Sequence, residues 1–151
     1  MRDDWKDRTN RSVCIAVVGV VLAAGTALAA KEDWSWTLPV AQYRELDIRQ
    51  RAVVDRASDL DRRAETSRKE RREAEAATSF RAAAQEWKRF MFEFMDAPEV
   101  FVAYAHFMQA YSLHQAGDRN AAVKLYSEVA DFYPDAPSML VAALYWRGIA
   151  K

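Results

Sequence analysis

The sequence is poor in the residues that close turns and cross-link chains. Its 151 residues include four glycines, four prolines and one cysteine, Cys14. Few turn residues argue against a sheet-rich fold with many tight turns. A single cysteine excludes an intramolecular disulfide and a multi-cysteine metal or cluster site. Because Ala, Arg and Glu are plentiful, we expect an all-α protein.

The chain also lacks a net charge and the motifs of common active sites. Its 22 basic side chains balance 22 acidic ones, so no overall field favours a nucleic-acid partner, and we expect none. Its scattered glycines cannot form a phosphate-binding loop. His106 and His114 are eight residues apart on one expected helix, too far for both to bind one metal ion. We therefore expect no catalytic, cofactor or metal site, and no enzymatic activity.

One long apolar run stands near the start of the chain. Residues 13–30 carry no charge, and as a helix they would span roughly 27 Å, close to a bilayer core of about 30 Å. Trp5 precedes the run, and Trp34 and Trp36 follow it, as aromatic residues do at membrane–water interfaces. We expect residues 12–30 to be a transmembrane signal anchor in the lipid bilayer, with these tryptophans as interface anchors.

A cleaved signal peptide is the alternative interpretation of this run. Ala27-Leu28-Ala29 matches a small-x-small cleavage site, and charged residues follow directly. Acidic residues within segment 1–11 are unusual in a secretory leader and favour the anchor. Basic residues cluster before the run and only Lys31 follows closely, so the positive-inside rule places residues 1–11 in the cytoplasm. We then expect a single-pass protein of the inner (cell) membrane with a periplasmic C-terminal domain.

A charged stretch follows a linker at residues 31–40. Residues 41–79 contain neither glycine nor proline. Their apolar residues have the spacing of a coiled-coil seam, at Leu46, Val53, Ala57, Leu60 and Ala64. We expect one long charged helix, a strut of roughly 60 Å if straight. Pairing of the seam between identical chains would make the protein a self-associating spacer.

The last region, residues 80–151, is apolar and aromatic, with helix breaks expected near residues 96–98, 117–118 and 133–137. Within residues 103–136, small, turn and aromatic residues occur in a characteristic order at Ala110, Gly117, Asp118, Ala122, Tyr126 and Pro134. This segment resembles a tetratricopeptide repeat, and the residues that follow resemble the start of a second repeat, similar to the repeats of bacterial envelope assembly proteins. The resemblance implies a helical hairpin with flanking helices. The first helix departs from the pattern at His106, Gln109 and Leu113.

A single repeat leaves apolar faces that stacked neighbours normally cover. The candidate aromatic residues for a partner surface are Phe101, Tyr104, Phe107, Tyr111, Tyr145 and Trp146, together with Phe132 and Tyr133. Part of this set must form the core, but we expect a surplus, because so small a domain cannot bury all of them. We therefore expect a membrane-anchored adaptor or accessory subunit that binds or stabilises a larger membrane protein complex. The alternatives are the self-associating spacer, a homo-oligomer, and a secreted envelope module that binds a peptide in the repeat groove.

Overall fold

The computed structural model describes residues 38–151, and this part of the chain is all-α, as the composition predicts. The helices are α1 (Val40–Glu45), α2 (Ile48–Lys69), α3 (Glu73–Glu93), α4 (Glu99–Gln115), α5 (Arg119–Phe132) and α6 (Pro137–Ala150). None of these helices is long and apolar enough to cross a membrane. Segments 1–11 and 12–30, and the interface anchors Trp5, Trp34 and Trp36, lie outside the described residues.

The single long helix expected over residues 41–79 is wrong. Asp47 begins α2 with a capping box: its carboxylate accepts hydrogen bonds from the backbone of Arg49 and Gln50, while the Gln50 side chain accepts one from the Asp47 backbone. The helix ends at Lys69, and α3 returns along it to form a hairpin. Three of the five predicted seam residues, Val53, Ala57 and Ala64, are buried on α2, whereas Leu60 is partly exposed and Leu46 precedes the helix. The helix packed against α2 is α3 of the same chain.

Two hairpins are closed by the same backbone turn. After α2, the N–H of Arg71 donates to Arg68 and the N–H of Arg72 donates to Ser67. After α4, Gly117 donates to His114 and Asp118 donates to Leu113 in the same pattern. Both are Schellman motifs, whose central residue needs a positive φ. Gly117 has φ +89° and Arg71 has φ +61°, so an arginine performs in the first hairpin what glycine performs in the second.

The helices form two layers. Each helix from α2 to α6 packs against the next one along the chain, and α4 also contacts α6. Side-chain hydrogen bonds join α2 to α4. The helices α2, α4 and α6 therefore occupy one layer, and α3 and α5 occupy the other. Helix α3, which contains Phe80, supplies a neighbour for the α4–α5 hairpin.

Aromatic side chains fill the space between the layers. Trp87 of α3 meets the edge of Tyr104 of α4 with ring centroids 5.7 Å apart, and Phe90 lies 5.3 Å from Phe101. Phe107 continues the contacts to Tyr126 of α5 at 5.7 Å. Such ring pairs add to the stabilisation that comes from burying their area. The centre of the described domain is thus α4, which has packed neighbours on several sides.

Candidate functional site

A buried carboxylate fixes the relative positions of α2, α3 and α4. Asp61 of α2 accepts a hydrogen bond of 2.8 Å from Nε1 of Trp87 and one of 2.7 Å from Oγ of Ser112. Burial raises the pKa of Asp61 to about 6, although both hydrogen bonds act in the opposite direction. These three side chains, one from each helix, therefore fix the positions of α3 and α4 relative to each other and to α2.

Further polar contacts fix the ends of the same helices. Glu65 accepts hydrogen bonds from Arg68 at 2.7 Å and from the Tyr111 hydroxyl at 3.3 Å. Arg81 of α3 forms a 2.8 Å ion pair with Asp118 and donates to the carbonyl of Ala116 at the end of α4. Because the last carbonyls of a helix lack partners within it, this arginine satisfies one of them and attaches α3 to the second turn.

An open groove separates α3 from α5, the two helices of one layer, and α4 of the other layer forms its floor. We call it the α3–α5 groove. It has a volume of about 570 Å³. Three of its apolar lining side chains are strongly exposed: Phe92 is 71% exposed, Met95 83% and Phe132 64%. Met91 and Leu125 lie deeper and are only partly exposed. The groove is therefore an apolar surface that the described part of the chain leaves open.

The floor of the α3–α5 groove contains a buried histidine. His106 of α4 is 6% exposed, and its Nε2 lies 3.3 Å from Oε2 of Glu128 on α5. Burial lowers the pKa of His106, although Glu128 opposes this effect, so the imidazole is neutral at pH 7. Nζ of Lys124 lies 3.8 Å from Oε1, the other carboxylate oxygen of Glu128. The carboxylate of Glu128 is thus already engaged from two sides.

The tetratricopeptide-like positions divide into buried helix positions and turn positions. Ala110 of α4 and Ala122 and Tyr126 of α5 are fully buried. Gly117 has the positive φ of the turn, and Asp118 pairs with Arg81. Pro134 is exposed in the turn between α5 and α6. His106 and Gln109, where the sequence departs from the repeat pattern, both line the α3–α5 groove.

The predicted partner surface is wrong for its members on α4. Phe101, Tyr104, Phe107 and Tyr111 are all buried, because α4 is packed between α3 and α5 and also contacts α6. Tyr145 is exposed and Trp146 is partly exposed, both on α6. Phe132 is exposed, and Tyr133 is partly exposed; both line the groove. The composition correctly predicted more aromatic side chains than the core can bury, but it did not identify the exposed ones.

None of the residues on the α3 wall of the groove was predicted from the sequence to form a partner surface. Trp87, Phe90 and Phe94 are buried at helical spacing. That spacing places Phe92 on the opposite side of the helix, so part of the signal was present in the sequence. It was obscured because residues 90–95 form one continuous apolar run apart from Glu93. Between residues 38 and 151, no group of three or more His, Cys, Asp and Glu side chains could hold a metal ion.

Comparisons with known proteins supply no identity. The chain matches no protein-family model, no curated protein and no solved structure.

Proposed function

We propose that this protein is a non-enzymatic accessory subunit, or adaptor, that binds a larger membrane protein complex through its helical domain. The observation that carries the proposal is the α3–α5 groove, where Phe92, Met95 and Phe132 are exposed together. Clustered apolar side chains on a folded domain are costly to leave in water and mark contact sites for other molecules. A partner that covers the groove would remove that cost.

The proposal includes a membrane anchor and a repeat-like architecture. Residues 12–30 would hold the chain in the inner membrane with residues 1–11 in the cytoplasm and the helical domain in the periplasm. The α2–α3 and α4–α5 hairpins would be two tetratricopeptide-like units that are stacked on each other and followed by α6. Matching Schellman turns and the fully buried Ala110 and Ala122 support this relationship.

Native mass measurement of the solubilised complex tests the proposal. Mild detergent extraction of the tagged full chain from its own membrane should recover a hetero-complex of fixed stoichiometry. The double substitution Phe92→Ser with Met95→Ser should release the free chain, because it removes the two most exposed apolar residues of the α3 wall. Ile48→Ser is the matched control, since Ile48 is 84% exposed at the start of α2 and does not line the groove.

Two outcomes would contradict the proposal. Recovery of the unaltered chain only as a free monomer would remove the adaptor role. N-terminal sequencing of the native protein bears on the anchor: a mature chain that begins after Ala29 or Ala30 would mean that the segment is a cleaved signal peptide, and a retained segment 12–30 would support the anchor.

A further inference from the structure

We infer that the α3–α5 groove receives an amphipathic helix of a partner protein, and that this helix carries acidic residues along the edges of its apolar stripe. The inference rests on the proposed function, because it names the chemistry of the partner at the same groove.

The shape of the groove suits one face of a helix. On the helix itself, the α3 wall extends from Gln85 to Phe92, about 11 Å at the helical rise per residue, or close to two turns, and Met95 continues it in the turn after α3. Its α5 wall runs from Ala121 to Phe132. An incoming helix of that length presents large apolar side chains at positions i, i+4 and i+7. The groove volume of about 570 Å³ would hold those side chains, while the rest of the helix would stay above the rim.

The α3 wall is adaptable. It carries Met91 and Met95, two of the five methionines in the chain, on either side of Phe92. Methionine is unbranched and has a polarizable sulfur atom, so it fills irregular gaps and adjusts to different incoming side chains. An adaptable wall of this kind favours side chains packed from a helix over a ligand that needs fixed polar contacts.

Charge selects the partner. Lys88 lies on the α3 wall and Lys124 lies on the α5 wall, and both side chains are exposed. Glu128 is the single carboxylate among the described residues that line the groove, and it already faces His106 and Lys124. The rims therefore carry a net positive charge, which attracts carboxylates on the flanks of an incoming helix and disfavours lysine or arginine there.

The walls of the groove are formed by the second helix of each hairpin and not by the first. The walls come from α3 and α5, the second helices of the two hairpins, and α4 contributes only the floor. Neither α2 nor α6 lines the groove. A helix seated here would thus contact α3, α5 and the α4 floor, and would leave α2 and α6 free.

A pair of synthetic peptides tests the inference. The acidic probe is a capped, alanine-based helix of about sixteen residues with leucines at i, i+4 and i+7 and glutamates along both edges of the stripe. Its basic twin has lysine in place of each glutamate. The full chain is placed in nanodiscs of zwitterionic lipid, and its methionine methyl groups are labelled for NMR. Met108 and Met139 are buried and do not line the groove, so their signals are internal controls.

We expect the acidic peptide to shift the signals of Met91 and Met95 and to leave those of Met108 and Met139 in place. We also expect it to bind about five- to tenfold more tightly than the basic twin at low salt. The double substitution Lys88→Glu with Lys124→Glu should reverse this order. Phe92→Ser with Met95→Ser should weaken both peptides, and Ile48→Ser should weaken neither.

Equal affinity for the two peptides, shifts confined to Met139, or no binding would overturn the inference. So would sedimentation that shows a second copy of the chain occupying the groove. If neither peptide binds while the native complex forms and is released by the Phe92 and Met95 substitutions, the inference fails and the proposed function stands. Peptide binding with the expected order supports the inference even when native extraction yields only monomer, which would count against the adaptor role alone.

Discussion

Asp61 couples the packing of three helices to the protonation of one side chain. Its pKa in the folded protein is about 6, compared with an ordinary value of 3.8. In the interval between these values the folded state binds more protons than the unfolded state. The contribution of Asp61 to stability is therefore fully present below about pH 4 and is lost as the pH rises through about 6.

Asp61→Asn should remove this pH dependence. The amide oxygen can still accept from Trp87 Nε1, and the amide nitrogen can donate to Ser112 Oγ, which continues to donate to the carbonyl of Met108. Between pH 4 and 6 the unaltered protein should lose on the order of 1–3 kcal/mol of unfolding free energy relative to the variant. Urea unfolding of the full chain across this range measures the difference. Asp59→Asn, at an exposed position of the same helix, is the control; parallel profiles for the protein and D61N would contradict the expectation.

Arg71 and Gly117 occupy equivalent positions in the two Schellman turns, and they predict opposite effects of substitution. Arg71→Gly should raise the unfolding free energy by about 0.5–1 kcal/mol, because glycine adopts positive φ without the steric cost that a Cβ imposes. Gly117→Ala should lower it by about 1 kcal/mol for the same reason, since an added Cβ there meets no neighbouring atom and only the backbone is strained.

Denaturant unfolding of the two turn variants checks both signs. Gly148→Ala is a useful reference, since Gly148 lies within α6 and its added Cβ also meets nothing. There the substitution should stabilise the protein by about 0.5–1 kcal/mol through helix propensity. Destabilisation by Arg71→Gly would mean that the arginine side chain contributes more than its backbone conformation costs.

At the level of elements, small residues allow α2 and α3 to approach closely. Ala57 and Ala64 of α2 and Ala76, Ala83 and Ala84 of α3 are almost fully buried. Ala64 belongs to a buried cluster with Ala76, Phe80 and Ala116. The hairpin is therefore packed through alanine and has no spare volume for a larger side chain at these positions.

Ala64→Leu should destabilise the full chain by about 1–3 kcal/mol, because the added carbon atoms would force α2 away from its neighbours. Ala52→Leu, at an exposed position on α2, should change the unfolding free energy by less than about 0.5 kcal/mol. Urea unfolding and sedimentation together provide the measurement. A stable Ala64→Leu variant that forms dimers would show that the seam pairs between chains instead.

Helix breaks marked by glycine or proline could be predicted from the sequence, and the unmarked break could not. Gly117 and Pro137 lie at or next to the ends of helices, as expected. The α2–α3 turn has charged residues on both sides, and Arg71 adopts the left-handed backbone conformation. No residue type in this segment therefore predicts a turn. Three of the five predicted seam residues are buried on α2. Periodicity identifies a buried face but does not identify the helix that covers it.

The candidate site was accessible to sequence reasoning only in part. Composition predicted that aromatic residues would exceed the capacity of a small core. The assignment of Phe101, Tyr104 and Phe107 to the surface failed because α4 is covered on several sides, a property of the whole array. Phe92 and Lys88 could have been placed outward from the spacing of Trp87, Phe90 and Phe94. The opposing wall depends on how α5 packs, which local patterns do not specify.

Across the whole molecule, the described helices form a linear array in which each contacts mainly its neighbours. In such arrays the ends open before the centre, because a terminal helix has packing on fewer sides. Here α1 is a six-residue helix with no buried residue, and α6 exposes Val141, Leu144 and Ile149. The centre, α3 and α4, contains the buried aromatic contacts.

Hydrogen exchange of the full chain should reflect this order. We expect amides of α1 to exchange first, those of α6 next, and those of α3 and α4 last, near the rate set by global unfolding. Mass spectrometry of peptic fragments resolves the helices. Uniform protection from α1 to α6 would mean that the array unfolds as a single unit. Binding of a helix in the α3–α5 groove should add protection to α3 and α5 and leave α2 unchanged.

The hydrogen bonds of Asp61 also constrain how this protein can evolve. Loss of Trp87 or Ser112 alone leaves a buried carboxylate short of a partner, and loss of Asp61 alone leaves an indole N–H without an acceptor. Each single replacement by an apolar residue is therefore costly, whereas replacement of all three by apolar residues is not. In descendants of a common ancestor, positions 61, 87 and 112 should be polar together or apolar together. Their covariation would link three consecutive helices through residues that are 26 and 51 positions apart.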